Sequence, residues 1–348
     1  MKHTHLHTRL LALLLCCALV LPLSACGEAK STTQQIFAMD TVMDLTAYGK
    51  KADDGINAAI SIINSMDKLL DPENERSKTY EINHAMGSPV VVNEQIAKML
   101  RTALTVYERT NGAFDLTTYP LSKLWGFIGQ NYRVPSDAEI ERLLPCVDMR
   151  KVQLAATDDS ANSLVTMPAD MALSFGAVAK GCASDYAIQA MRAAGITSGV
   201  VSLGGNVQTL GKKPDGSDWN IAIQDPNDTG SYLGYLTVGE TAVITSGSYQ
   251  RYFTEGGQKY HHILSPTTGR PVNNGLLAVT IVCEDGTLAD CLSTAMFVLG
   301  PQAALNYWRT YGGFEMLLVK TDGHVVITNG LYGQFTPNGD SYVVDYAS

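Results

Sequence analysis

Thr287-Leu288-Ala289-Asp290-Cys291-Leu292-Ser293-Thr294-Ala295-Met296-Phe297-Val298-Leu299-Gly300 is the stretch from which the rest of the chain can be read. Apolar residues recur through it at helical spacing and Gly300-Pro301 stops it, which predicts a helix that is mostly buried. Asp290 is the exception. A charge on a buried helix is costly unless it is paired or binds a cation. Thr294, four residues on, adds a hydroxyl oxygen to the same face. Two hard oxygens one turn apart suit Mg²⁺ or Ca²⁺. An aspartate that caps nearby backbone or pairs with a lysine accounts for the same residues, and the helix alone leaves both readings open.

Outward from this helix the chain alternates helices and strands without a strict βαβ repeat, which predicts an α+β fold or a mixed sheet with layered helices. The periodicity predicts one strand over Gln34 to Tyr48 and a helix from Asp54 to Leu70. A second helix runs from an Asn93 cap to Arg109, and Ser136 to Glu139 is a capping box. Short strands are expected at Val152–Ala155, Leu164–Met167 and Met171–Phe175, the last running through Gly176 to Gly181 into a helix that ends at Ala194. Further strands are expected at Val200–Leu203, Trp219–Gln224, Tyr232–Val238, Ala242–Thr245, Tyr260–Leu264 and Leu277–Cys283. A helix at Gln302–Tyr311 and strands at Glu315–Lys320 and Val325–Thr328 follow the Asp290 helix.

The first residues have the form of an export signal. Lys2 and Arg9 precede an apolar run from Leu10 to Leu21, too short to span a membrane, and Leu23-Ser24-Ala25 puts small residues before Cys26. Leu23-Ser24-Ala25-Cys26 is similar to a bacterial lipobox. Residues 1–25 are then a lipoprotein signal peptide, Cys26 the lipidated residue, 26–35 a polar tether and 36–348 the folded domain, in one body or two closely packed lobes. The expected location is the outer face of the cytoplasmic membrane. Loss of residues 1–25 removes Lys2 and Arg9 but no acidic residue, so the net charge falls from −9 to −11. Such a surface disfavours nucleic acid and anionic lipid. Hydrophobic residues make up 45% of the chain, enough for a well-filled core. Cys146, Cys182, Cys283 and Cys291 show no CxxC or Cys/His metal spacing, and are read as buried free thiols.

Two glycine junctions, Phe175-Gly176-Ala177 and Gly204-Gly205-Asn206, could cradle a polyanion or could be plain tight turns. Neither fits GxGxxG or a P-loop. His261 and His262 precede a loop rich in Pro, Gly and hydroxyls. Strand neighbours face opposite ways, so one of the two at most reaches a given site. Ser246, in Thr245-Ser246-Gly247, lacks the GxSxG context of a hydrolase nucleophile.

Ala113-Phe114-Asp115-Leu116-Thr117, Leu124-Trp125-Gly126-Phe127, Ala179-Lys180-Gly181, Ser202-Leu203-Gly204-Gly205-Asn206, Thr245-Ser246-Gly247, His262 through Gly269 and Ala289 through Thr294 together resemble the ApbE family. The resemblance runs in family order from Met39-Asp40-Thr41 to Gly300. It implies a T-fold-like α+β protein, often an exported lipoprotein, that binds FAD and Mg²⁺, moves FMN from FAD to a Ser or Thr hydroxyl of an acceptor flavoprotein, and releases AMP. It implies metal ligation by the Ala177 carbonyl, the Asp290 carboxylate and the Thr294 hydroxyl. FAD contacts are implied at Met39, Ala113, Phe114, Asp115, Lys180 and Leu264, and His262 as the base. Ser174 and Ser265 stand where the family has Asp, and Glu73 where it has a flavin-contacting Tyr, with Ser174 kept among the FAD-contacting positions. The acceptor implied is an exported electron-transfer subunit. Hydrolysis of FAD to FMN and AMP, or non-enzymatic FAD binding by a lipoprotein, are the alternatives.

Overall fold

The computed structural model describes residues 30–347. Nine strands form one sheet in which spatial order equals chain order: β1 (Ser31–Ala38), β2 (Thr41–Tyr48), β3 (Gly199–Leu203), β4 (Asn206–Leu210), β5 (Ala242–Gly247), β6 (Leu276–Cys283), β7 (Glu315–Lys320), β8 (His324–Thr328) and β9 (Val343–Ala347). Neighbours are antiparallel except β8 and β9, which run parallel. Between these strands are inserted the long helices α1 (Ala52–Leu70), α2 (Glu94–Arg109), α3 (Ala179–Ala193), α4 (Gly286–Leu299) and α5 (Pro301–Tyr311). The α+β reading holds.

Strand periodicity decides which face meets the helices. On β2, Met43, Leu45 and Ala47 are fully buried in the core that also holds Ile56 and Ile63 of α1 and Met191 of α3. The opposite face, with Val243, Leu317 and Val325, packs on Trp219 and Leu236 of a three-stranded sheet made by Trp219–Gln224, Tyr232–Val238 and Phe335–Pro337. A small third core around Trp125 and Phe127 braces the hairpin Tyr252–Glu255/Gln258–His261 through Phe253 and Tyr260. The α4 helix lies between β5 and β6 on one side and α2 and α3 on the other. Leu292, Met296 and Phe297 are at most 1% exposed, and such side chains stabilise by about 1.5–3 kcal/mol each on burial.

Three sequence expectations are corrected. Gln34 to Tyr48 is a hairpin, β1 and β2, because Met39 and Asp40 both take positive φ, 49° and 58°, and turn the chain in two residues. That turn needs no glycine here and so leaves no signal in composition. Ser31 to Gln35, expected in the tether, belong to β1, where they pair with Tyr48 to Asp44. Met171 to Phe175 is not a strand. Its ladder partner is a side chain: the Asn83 amide donates to the Leu173 carbonyl at 2.9 Å and accepts from the Leu173 N–H at 2.8 Å, while Ser174 N–H donates to Leu116. The Cys26 lipobox lies outside the described residues.

Candidate active site

Most positions singled out in the sequence line one cleft of about 1220 Å³. Its wall includes the β1–β2 turn, the 113–119 loop, the segment from Ser174 to Lys180, the Gly204-Gly205 turn, β5, the loop after His262, and Asp290 and Thr294 of α4. Asp290 is 3% exposed. Its Oδ2 accepts from Gly181 N–H at 2.8 Å and its Oδ1 from the Asn206 amide at 3.0 Å. Among the described residues it has no ion pair. The Thr294 hydroxyl bonds to Ser246 Oγ at 3.1 Å, and Ser246 bonds onward to Ser293 at 2.8 Å. Ser246 therefore aligns the Thr294 hydroxyl.

The α3 helix meets α4 so closely that a Cβ on Gly181 would stand 2.0 Å from the Gly286 carbonyl oxygen. Because Gly181 N–H points at Asp290, the Ala177 carbonyl, four residues earlier, loses the partner a regular helix would give it. Among the described residues nothing donates to that carbonyl, and Ala177 lines the cleft. A free carbonyl, a buried carboxylate without a cation and an aligned hydroxyl are hard oxygen donors of the kind Mg²⁺ takes. The donor set fits the metal that the sequence implied.

The two histidines have different surroundings, His261 closing its strand and His262 lying just past its end. His261 is 7% exposed; its Nε2 donates to the Val272 carbonyl at 2.7 Å and its Nδ1 accepts from Ile263 N–H at 3.3 Å, so both nitrogens are used within the fold. His262 lines the cleft. Its Nδ1 lies 3.2 Å from the Arg251 carbonyl, which can only accept, so Nδ1 carries the proton and the Nε2 lone pair is left available. Desolvation first, then the Arg251 guanidinium, push the imidazole down to about 3, so it is neutral at pH 7.

The positions at which the sequence implied FAD contacts also converge on the cleft. Met39 sits in the β1–β2 turn, its N–H held by Asp67 at 2.8 Å. Phe114 is 1% exposed at the cleft wall. The Asp115 carboxylate is used within the fold, with Oδ1 accepting from Thr117 N–H at 2.7 Å and Oδ2 from Met149 N–H at 3.1 Å. What Asp115 offers the cleft is therefore backbone. Ser174 Oγ accepts from Gly176 N–H at 3.2 Å and shapes the turn before Ala177. Lys180, Leu264 and Ala113 line the same cleft, and Lys180 makes no ion pair among the described residues. Glu73, also at the wall, accepts from the Tyr119 hydroxyl and from Lys123 at 2.9 Å, bonds that hold its pKa below the usual carboxylate range.

A model of the ApbE family matches residues 39–318. The chain belongs to the ApbE family. It is 30% identical over 285 residues to the FAD:protein FMN transferase of Klebsiella pneumoniae (strain 342), spanning 81% of this chain and 87% of that one. With the FAD:protein FMN transferase of Treponema pallidum (strain Nichols) it shares 29% over 326 residues, 88% and 90% of the two chains. The crystal structure of the ApbE protein from Thermotoga maritima matches with a TM-score of 0.81 at 31% identity, over 88% of this chain and all of that one.

Sequence reasoning reached the residues of this ApbE cleft but missed those that hold them. Gly204-Gly205, read as a polyanion cradle or a turn, is the two-residue turn between β3 and β4, with φ of 61° and 90°. Asn206 follows it and binds Asp290. The buried Asp185 and Gln208 and the half-buried Lys98 form a polar group behind α4 that no local pattern announces. Cys182, Cys283 and Cys291 are buried and Cys146 partly so, all four free thiols as expected; burial pushes Cys182 up to about 12.

Proposed function

We propose that this chain is a Mg²⁺-dependent FAD:protein FMN transferase: FAD enters the cleft, and a Ser or Thr hydroxyl of an acceptor flavoprotein attacks the phosphorus of its FMN half. The new P–O bond forms as the bridging P–O bond breaks, and AMP leaves. The observation that carries this reading is the convergence in one cleft of the free Ala177 carbonyl, the unpaired Asp290 carboxylate and the available His262 Nε2. Ala177, Asp290 and Thr294 would hold Mg²⁺, which when bound offsets charge on the diphosphate oxygens. His262 Nε2 takes the hydroxyl proton while the Arg251 carbonyl keeps the ring in the required tautomer. Burial first, and Arg251 second, depress this base; an anionic diphosphate bound beside it would offset the Arg251 part and strengthen it. Lys180 adds positive charge on the same side, and Met39 supplies apolar surface for the flavin rings over the buried Phe114.

Incubation with FAD, Mg²⁺ and an FMN-binding acceptor domain tests the proposal. Covalent flavin on the acceptor with one AMP per flavin is expected. Free FMN and AMP without labelled acceptor would make the chain a FAD hydrolase, and FAD binding without turnover would make it a carrier. We infer further that the chain is a lipoprotein anchored through Cys26 at the outer face of the cytoplasmic membrane, where it meets an exported electron-transfer acceptor. The support is the leader sequence. A Cys26→Ala chain still carrying lipid in the membrane fraction would sink that inference.

A further inference from the structure

Helix α4 already has its own cap: Asp285 Oδ1 accepts from Leu288 N–H at 2.9 Å. Its two preceding N–H groups are nevertheless taken by a carboxylate from another helix. Asp185 of α3 accepts from Gly286 N–H at 2.8 Å through Oδ1 and from Thr287 N–H at 3.0 Å through Oδ2, which also takes the Thr287 hydroxyl at 2.6 Å. Gln208 donates to Oδ1 at 3.1 Å, and Lys98 of α2 reaches Oδ2 at 2.8 Å. Asp185 is 6% exposed. Desolvation opposes its charge, but Lys98 and the hydrogen bonds outweigh that and hold its pKa below the ordinary value.

The spacing ties this contact to the cleft. Gly181 and Asp185 lie one turn apart on α3, and Gly286 and Asp290 one turn apart on α4. Gly181 bonds to Asp290 and Asp185 to Gly286, so the antiparallel helices are joined by two rungs, with Asn206 and Gln208 of one β4 face feeding an amide into each. A slide of α4 by one residue breaks both rungs, and the bare Gly181 leaves no room for a looser fit.

We propose that Asp185 is a positioning residue for the metal site: it fixes the N-terminal turn of α4, and through it the placement of Asp290 and Thr294, with Lys98 as the counter-charge. The proposal rests on the metal reading above. Removing such a partner of a ligand-bearing element costs about 10- to 100-fold in metal affinity. In Asp185→Asn the amide can satisfy only part of a donor set built for a carboxylate, so calorimetric titration of Mg²⁺ into the full chain should give a Kd raised by about that factor. Transfer should recover most of its rate at saturating Mg²⁺, because no group that touches FAD is lost. A folded Asp185→Asn with a lowered Tm but a Mg²⁺ Kd within about twofold of wild type, well below the loss typical of such partners, would overturn the proposal. Should that variant fail to fold, Lys98→Met leaves the α4 amides and Asp185 in place, and an unchanged Mg²⁺ Kd there overturns it equally. Wild type and Asp290→Asn are run alongside. If neither binds or needs Mg²⁺, the metal reading falls and takes this proposal with it; if only Asp290→Asn loses the metal, an unaffected Asp185→Asn refutes positioning alone.

Discussion

The two ends of the α3–α4 contact hold two carboxylates in nearly the same setting, and they differ in one respect. Asp185 and Asp290 are both almost completely buried, each accepts backbone N–H from the facing helix, and each accepts a side-chain amide from β4. Asp185 has Lys98 at 2.8 Å. Asp290 has no cation among the described residues, and it faces the cleft, where Thr294 and the Ala177 carbonyl lie beside it. A buried charge costs several kcal/mol if nothing opposes it. One end of the contact is therefore complete within the fold, and the other, on the function proposed above, would be completed by the metal.

The largest test of this difference exchanges charge at the two ends. Asp290→Asn should abolish transfer and Mg²⁺ binding together, because its amide turns a donor towards Gly181 N–H or Asn206 and removes the charge that the cation needs. Turnover of Asp290→Asn with an unchanged Mg²⁺ requirement would make Asp290 a structural charge like Asp185 and dissolve the contrast.

How far the sequence carried depended on whether each contact was local. The buried character of α4, its Gly300-Pro301 stop, the Asn93 cap and the Ser136–Glu139 box are set within a few residues and were legible. Asp290 was conspicuous because the residues around it are apolar. Its counterpart was not: Lys98, Asp185, Gln208 and Gly286 meet only in the folded chain, and Asp185 sits among Ser184 and Tyr186, where an aspartate looks like ordinary helix surface. The Met39-Asp40 turn is not legible because no glycine marks it and Met rarely holds positive φ. At Met171 to Phe175 an apolar run was read as a strand, when the Asn83 side chain takes the place of a neighbouring strand.

The next test contrasts His262 with His261. His262→Ala should cut transfer by roughly 10²–10⁴-fold with FAD affinity changed much less, as expected for loss of a proton acceptor. His261→Ala should act mainly on stability, since both its ring bonds are within the fold. Equal rates for wild type and His262→Ala across pH would remove the base. The pH dependence carries its own sign. His262 is depressed in the fold to about 3, so the unfolded chain takes up the proton first as pH falls below the ordinary value near 6.5. The stability of neutral His262 is fully present above that value and is lost progressively towards pH 3, and Tm measured down this range should fall less in His262→Ala than in wild type. Because kcat/KM reports the free enzyme, its acid limb for this group should lie near pH 3 rather than near 6.5.

The smallest effects separate a side-chain ligand from a backbone one on the same metal. Thr294→Val keeps the shape of the side chain but loses the oxygen that Ser246 aligns, so Mg²⁺ should bind about tenfold more weakly, at the lower end of what lost metal partners cost. Ala177→Ser changes nothing in the carbonyl, because the Ala177 oxygen is released by Gly181 N–H turning to Asp290 and not by the residue's own side chain. Its position is half-buried at the cleft wall. The Mg²⁺ Kd of Ala177→Ser should therefore stay within about twofold of wild type, a change of under 0.5 kcal/mol. A loss as large as that of Thr294→Val would mean that the Ala177 carbonyl is not what the cleft offers the metal.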